Sequence, residues 1–146
     1  MSDRADPPHQ VVNPDGLLPP VGFAHAVVAA PGRSVLLGGQ TGHRRDGSID
    51  DGLVAQFEQA LTNLAVVLSA CGAAATDLVS VHVYTTDIDS YRASSAALGE
   101  VWRRQLGQYY PAMAVFGIGE LYDPRAVVEV VAQAVIPSAS PDGIGP

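Results

Sequence analysis

YYPAMAVFGIGELYDPRAVVEVVAQAVI, residues Tyr109 to Ile136, reads as two strands joined by a short loop. Pro111 precedes the first, Ala112 to Ile118. The second, Val127 to Ile136, is rich in Val, and a branched Cβ favours a pleated strand. Gly119-Glu120-Leu121-Tyr122-Asp123-Pro124 between them has turn composition. Side chains alternate along a strand, so Val128, Val130, Ala132, Ala134 and Ile136 share one wholly apolar face, expected to lie under helices. The opposite face carries Val127, Glu129, Val131, Gln133 and Val135. A strand apolar on both sides needs cover on both. Glu129 is therefore either a partly buried functional carboxylate or a rim group on a wet sheet face.

Upstream, Val21 to Ala29 reads as a strand with Phe23, His25 and Val27 on one face, and Pro31-Gly32-Arg33 as a hairpin turn into a strand from Ser34 to Gly38. The glycine pair Gly38-Gly39 at that strand's end permits close approach of another group to the backbone. Its spacing fits no phosphate loop. After the loop at Asp46-Gly47-Ser48, Asp50 or Asp51 is positioned to cap a helix. Leu53, Phe57, Ala60, Leu61, Leu64, Val67, Leu68 and Cys71 recur every three or four residues, and Gly72 follows as a stop. Cys71 counts there as a small core residue. Asp77 opens a strand from Leu78 to Thr86, in which Val79, Val81 and Val83 alternate with Ser80, His82 and Tyr84. An Asp89-Ser90 cap starts a second helix, with Tyr91, Leu98, Val101, Trp102, Leu106 and Tyr109 as its stripe. His82, a strand histidine with no close acidic neighbour, reads as structural.

The order is strand, strand, helix, strand, helix, strand, strand: a single α+β domain with a mixed sheet and two helices packed on one face. The other face, with Val127, Val131 and Val135, is left for association, and a closed ring of copies answers that need. The domain is expected over residues 21–136. Residues 1–20, in which His9 has no evident role, read as a flexible N-terminal arm, and 137–146 as a flexible tail.

Composition narrows the function. The 146 residues suit one domain, and 47% hydrophobic content suffices for a core. Net charge is −7, all eight basic residues being Arg. Nucleic-acid binding needs clustered positive charge, so no nucleic-acid partner is expected. One cysteine excludes an intrachain disulfide and a Cys-based metal site. No run approaches the roughly 20 apolar residues of a membrane span, and MSDRADPPHQ lacks a signal's apolar core, so no membrane partner is expected and a cytoplasmic location follows by default.

Six segments fall in one order: Gly22-Phe23-Ala24-His25-Ala26-Val27, Gly38-Gly39-Gln40, QALTN at Gln59 to Asn63, Val83-Tyr84-Thr85-Thr86-Asp87, Tyr110-Pro111-Ala112 and Val128-Glu129-Val130. Together they resemble the Rid proteins, also called the YjgF family, over nearly the whole domain. The resemblance implies a chorismate-mutase-like fold and a homotrimer with three inter-subunit clefts. It implies hydrolysis of small reactive enamines and imines, such as 2-aminoacrylate, to a keto acid and ammonia, with no metal or organic cofactor.

Residue by residue, Glu129 matches the family's water-positioning Glu and is the catalytic candidate. Phe23 matches a cleft aromatic that is usually Tyr. Gly39 matches the glycine whose N–H faces the substrate, and Gly38 stands where Ser is usual. Ser95 stands where many members have Asn, and Val115 is counted among the substrate-lining positions. Met113 occupies the place of the Arg in the family's Pro-Ala-Arg motif, which clamps a substrate carboxylate. An ordinary 2-imino acid deaminase is thus not expected. Arg44, Arg45, Arg125, His25 and His43 are candidates to replace that Arg. The expected function is hydrolysis or tautomerisation of an enamine- or imine-type molecule at the cleft; the alternative is a non-catalytic trimer that binds a small molecule. Ribonuclease action, a third possibility among relatives, is opposed by the acidic charge.

Overall fold

The computed structural model describes residues 6–139. In chain order the strands are β1 (Gln10–Val12), β2 (Ala26–Val28), β3 (Gly32–Thr41), β4 (Leu78–Thr85), β5 (Ala112–Gly117) and β6 (Val128–Pro137); the helices are α1 (Leu53–Ala70), α2 (Ile88–Ala93) and α3 (Ser95–Leu106). The main sheet has the order β3-β6-β4-β5, and β1 and β2 form a separate antiparallel pair. β5 runs parallel to β4, whereas β6 is antiparallel to both its neighbours.

The two strands of the opening stretch therefore do not pair: β4 lies between them. The expected hairpin through Pro31-Gly32-Arg33 is likewise absent. β3 pairs with β6, and β2 turns to β1, because β6 offers β3 a long apolar partner from Gly32↔Pro137 to Thr41↔Glu129. β3 also continues past Gly38 to Thr41, through an irregularity between Leu37 and Gln40 where β6 advances only from Ala132 to Val130. The extra residue on β3 is a bulge, which bends the strand and re-aims its side chains.

The arm before Val21 has structure. His9 is buried, 5% exposed, with Nε2 on the Val135 carbonyl and Nδ1 accepting from the Ala30 N–H. Those two bonds hold the start of β1 against the sheet. At the other end β6 includes Pro137, and the Ser138 N–H donates to Pro31. The rest of the expected tail, residues 140–146, lies outside the described residues.

α1 and α3 cover one sheet face. Phe57, Leu61, Leu64 and Leu68 of α1 and Val101 and Trp102 of α3 pack on Val81, Val83, Val128 and Val130. Each such side chain contributes about 1.5–3 kcal/mol when fully buried. By length and composition alone α1, 18 residues with a mean hydropathy of 1.2, could cross a membrane. Its apolar stripe here faces the sheet.

Several helix ends differ from expectation. Gly52, at φ 92°, begins α1 with no side-chain cap, because Asp50 instead takes the Arg44 guanidinium at 2.7 Å. Cys71 is the C-cap of α1 and is exposed, the apolar stripe having ended at Leu68. The second helix is two, broken at Ser94, and Asp87 caps the first by accepting from the Ser90 N–H. Gly107 ends α3 at φ 82°, before Tyr109. Tyr109 still packs in the core, donating its hydroxyl to Leu78 while its carbonyl accepts from Trp102 Nε1.

Val127 also departs from the uncovered face expected for it. It lies before β6 and packs against the core, with its N–H on Gln56 and its carbonyl accepting from Thr85 Oγ1 and the Thr86 N–H.

Candidate functional site

The sheet face away from the helices carries Leu36, Glu129, Val131, Gln133, His82, Tyr84 and Phe116. Strand register fixes this set, since Leu36 opposes Gln133, Tyr84 opposes Glu129 and Phe116 pairs Tyr84. Leu36 is 76% and Phe116 43% exposed. Tyr84 and Phe116 stack at 5.4 Å, and His82 meets Phe116 edge-on at 5.8 Å. This aromatic group was not anticipated. Alternation along β4 puts His82 and Tyr84 on one face, but Phe116 joins them only once β5 is known to pair with β4.

Glu129 sits among these groups, half-buried, between Thr41 on β3 and Tyr84 on β4. Its carboxylate lies directly over Gly39. A Cβ added there would overlap Glu129 Oε1 and lie 2.8 Å from Cδ. The close approach expected at the glycine pair is therefore made by Glu129 itself.

Met113 and Ser95 share a cavity of about 480 Å³ beneath α2 and α3, with Tyr91, Trp102, Arg103 and Tyr110 in its wall. Ser95 Oγ donates to the Arg92 carbonyl at 2.7 Å. Phe23 lies in a neighbouring cavity of about 370 Å³, which shares Gly22 and Tyr110 with the first. Its ring meets His25 edge-on at 5.3 Å, and His25 Nε2 is on the Leu18 carbonyl at 2.8 Å. Val115, on β5, is 38% exposed and pairs with Val83. Within one chain, then, Met113 is grouped with Ser95 and Glu129 with Gly39. Phe23 adjoins the first group, and Glu129 belongs to neither cavity.

The candidate replacement cations are mostly engaged. Arg44 binds Asp50, Arg125 grips Asp123 at 2.8 Å and 3.2 Å, and Arg45 is exposed. His43 is held on both sides: Nδ1 faces Thr41 Oγ1 at 2.5 Å and Nε2 faces Asp123 Oδ2 at 2.8 Å. The hydrogen bonds from Arg125, with a further one from His43, hold the Asp123 carboxyl well below the usual carboxylate range. Asn63 Nδ2 donates to the carbonyls of Thr41 and His43, fixing the backbone that presents both side chains. Thr41 and Asp123 gave no signal in the sequence, because residues 82 apart in number meet here only through His43. No group of three His, Cys, Asp or Glu side chains suited to a metal occurs among the described residues.

A family model described as endoribonuclease L-PSP matches residues 16–136. No match was found among curated proteins. Of the solved structures, a Rid family protein of unknown function, YyfB from Yersinia pestis, is 30% identical, with 88% of this chain and 99% of that one covered and a TM-score of 0.80. RidA from an Antarctic Psychrobacter is 29% identical over 87% and 99% of the two chains, at a TM-score of 0.63. A YjgF family member from Mycobacterium tuberculosis is 26% identical over 88% and 99%, at 0.59.

Proposed function

The chain belongs to the Rid family, also called YjgF, and on that premise we propose that it is a cytoplasmic homotrimer that hydrolyses or tautomerises a reactive enamine- or imine-type small molecule at clefts between subunits. The observation that carries this reading is the Glu129 carboxylate, packed over Gly39 on a sheet face whose Leu36 and Phe116 are exposed. Apolar surface of that kind favours association, and association would close a cleft over Glu129. In the reaction, Glu129 takes a proton from water as it adds to the imine carbon. Glu129 returns that proton to the nitrogen, and the resulting carbinolamine passes its hydroxyl proton through Glu129 to the departing nitrogen, releasing ammonia and leaving a carbonyl. No metal or organic cofactor takes part.

Met113 sets the substrate class. Its thioether carries no charge and cannot form the paired hydrogen bonds that a guanidinium makes to a carboxylate. The substrate is therefore not an ordinary 2-imino acid. A second reading, a trimer that binds without turnover, is favoured by the aromatic wall of the Met113 cavity, where Phe57, Tyr91 and Trp102 suit an apolar ligand. The ribonuclease chemistry in the family model's description is opposed by the net charge of −7 and the absence of Lys.

Sedimentation equilibrium tests the assembly: three times 15.1 kDa is expected, and a concentration-independent monomer would remove the inter-subunit cleft. Mass spectrometry of metabolites retained by the purified trimer, followed by incubation of each with fresh protein, tests the chemistry. Release of ammonia or a shifted double bond supports turnover. A retained but unchanged compound favours the binding reading.

A further inference from the structure

Beside Glu129 the structure holds a second constellation that the imine chemistry does not use. Thr41 Oγ1, His43 and Asp123 form a hydrogen-bonded line, 2.5 Å and 2.8 Å long in its two links. The direction of each bond follows from what the groups can do. An ionised Asp123 only accepts, so the hydrogen lies on His43 Nε2. In the neutral ring Nδ1 then offers its lone pair, and Thr41 donates its hydroxyl proton to it. A hydroxyl is thus aimed at a base, and the base is oriented by a half-buried carboxylate that Arg125 anchors in turn. Gly38 and Gly39, just upstream on the bulge, are exposed, and nothing lies within 4 Å of a Cβ built at Gly38. Thr41 itself is partly exposed, so a small reactant can reach its hydroxyl.

We propose that Thr41, His43 and Asp123 form an acyl-transfer site, with Thr41 as nucleophile and small activated esters or thioesters as substrates. Hydroxyl, imidazole and carboxylate in this relation are recognised by geometry and role rather than by position in the chain. Thr41 Oγ adds to the carbonyl carbon while its proton moves to His43 Nδ1. The bond to the alcohol or thiol breaks, and that leaving group takes the proton from His43. Water then adds to the acyl-Thr41 ester, giving a proton to His43. The carbon–Oγ bond breaks, the acid departs and Thr41 regains its proton. Nothing is oxidised or reduced, and no co-reactant beyond water is needed. The step does not depend on Glu129 or Met113, so it stands or falls apart from the imine chemistry.

The test is rapid mixing of the full-length protein with p-nitrophenyl acetate, acid quench and peptide mass spectrometry. A burst of p-nitrophenol and one acetyl group on Thr41 are expected. Thr41→Ala should lose both, and Thr41→Ser should restore them. His43→Ala should slow acylation by about a hundredfold or more, the usual scale of a general base. Asp123→Asn should do the same by letting the ring adopt the other tautomer. Thermal unfolding of each variant separates a lost base from a lost fold. A wild-type protein that gives no acetyl-Thr41 during exposure overturns the proposal. So does acylation of Thr41 at an unchanged rate in a folded His43→Ala variant, which would leave the three residues as a clasp between loops.

Discussion

The Glu129 carboxylate occupies the space where Gly39 would carry a side chain. Gly38, one residue earlier, faces open space instead. Neither glycine has a positive φ, so their difference is one of room rather than backbone conformation. Gly39→Ala should therefore cost about 1–3 kcal/mol, the usual range for overpacking, and Gly38→Ala should lie within about 0.5 kcal/mol of wild type. Adding Glu129→Ala to Gly39→Ala should recover most of the loss, because the clash partner has gone. Urea unfolding of the three variants checks this, and equal effects at the two glycines would contradict it.

Tyr109 predicts an alkaline limit to stability. Burial first, and the charge of Asp77 second, push its hydroxyl up to about 12. An unfolded phenol ionises near ~10. The fold favours the neutral form, so this contribution is fully present below about pH 10 and is lost as pH rises through about 12. The wild-type midpoint should fall across that window. Tyr109→Phe should start lower, having lost the bond to Leu78, and should decline less steeply. Calorimetric scans from about pH 8 to pH 12 compare the slopes, and parallel curves would refute the assignment.

Gln56 is 2% exposed and spends its whole amide on backbone. Nε2 donates to Asp50 and Arg125, and Oε1 accepts from Val127, each at 2.8–2.9 Å. It ties α1 to the loop on either side of the Asp123 clasp. Gln56→Leu fills the volume but leaves three polar groups without partners, at a cost of about 3 kcal/mol. Denaturant unfolding measures the loss. A stability unchanged within error would mean that water replaces all three bonds.

What could be read beforehand was what repeats along one segment. The period of α1 and the alternation of β6 each declare a face, so Val128, Val130 and Ala132 and the helix residues that cover them were legible. The sheet order was not: inserting β4 between β5 and β6 depends on long-range pairing that neither strand signals. Helix ends depart from the local pattern where a polar residue has a better partner, as Asp50 does in Arg44. His9 looked idle because its two bonds run to Ala30 and Val135, far away in the chain. At the site, Glu129 stands out as the lone acid on an apolar strand, and the Gly38-Gly39 pair as a place where another group can come close to the backbone. The line from Thr41 to Asp123 had no local pattern to betray it.

Met113 carries a prediction about substrate. In a competition assay with semicarbazide, the protein should leave 2-aminoacrylate to the trapping reagent at close to the uncatalysed rate. Met113→Arg should give detectable protection by placing a guanidinium in the cavity that Ser95 lines. Wild-type turnover equal to that of an Arg-containing relative would show that some other group binds the carboxylate. Arg103, which lines the same cavity, would be the first to replace.

Glu129 carries the last. It is the one acid on the uncovered face of β6, half-buried, with Thr41 and Tyr84 as its cross-strand neighbours. Glu129→Gln keeps the shape and an acceptor oxygen over Gly39 but removes the base. If water addition or a proton shift is the reaction, turnover of the identified substrate should fall by about a hundredfold or more. Binding of that substrate, read by calorimetry, should change far less, and the sedimentation mass should stay that of the wild type. Full activity in the variant would reduce Glu129 to packing and remove the proposed mechanism. Loss of the assembly would instead mean that the ionised carboxylate holds subunits together. A third variant, Glu129→Asp, separates those cases: it keeps the charge but withdraws it from Gly39 by one methylene. It should preserve the assembly if charge is what matters there, while turnover, which depends on where the base sits, should still drop.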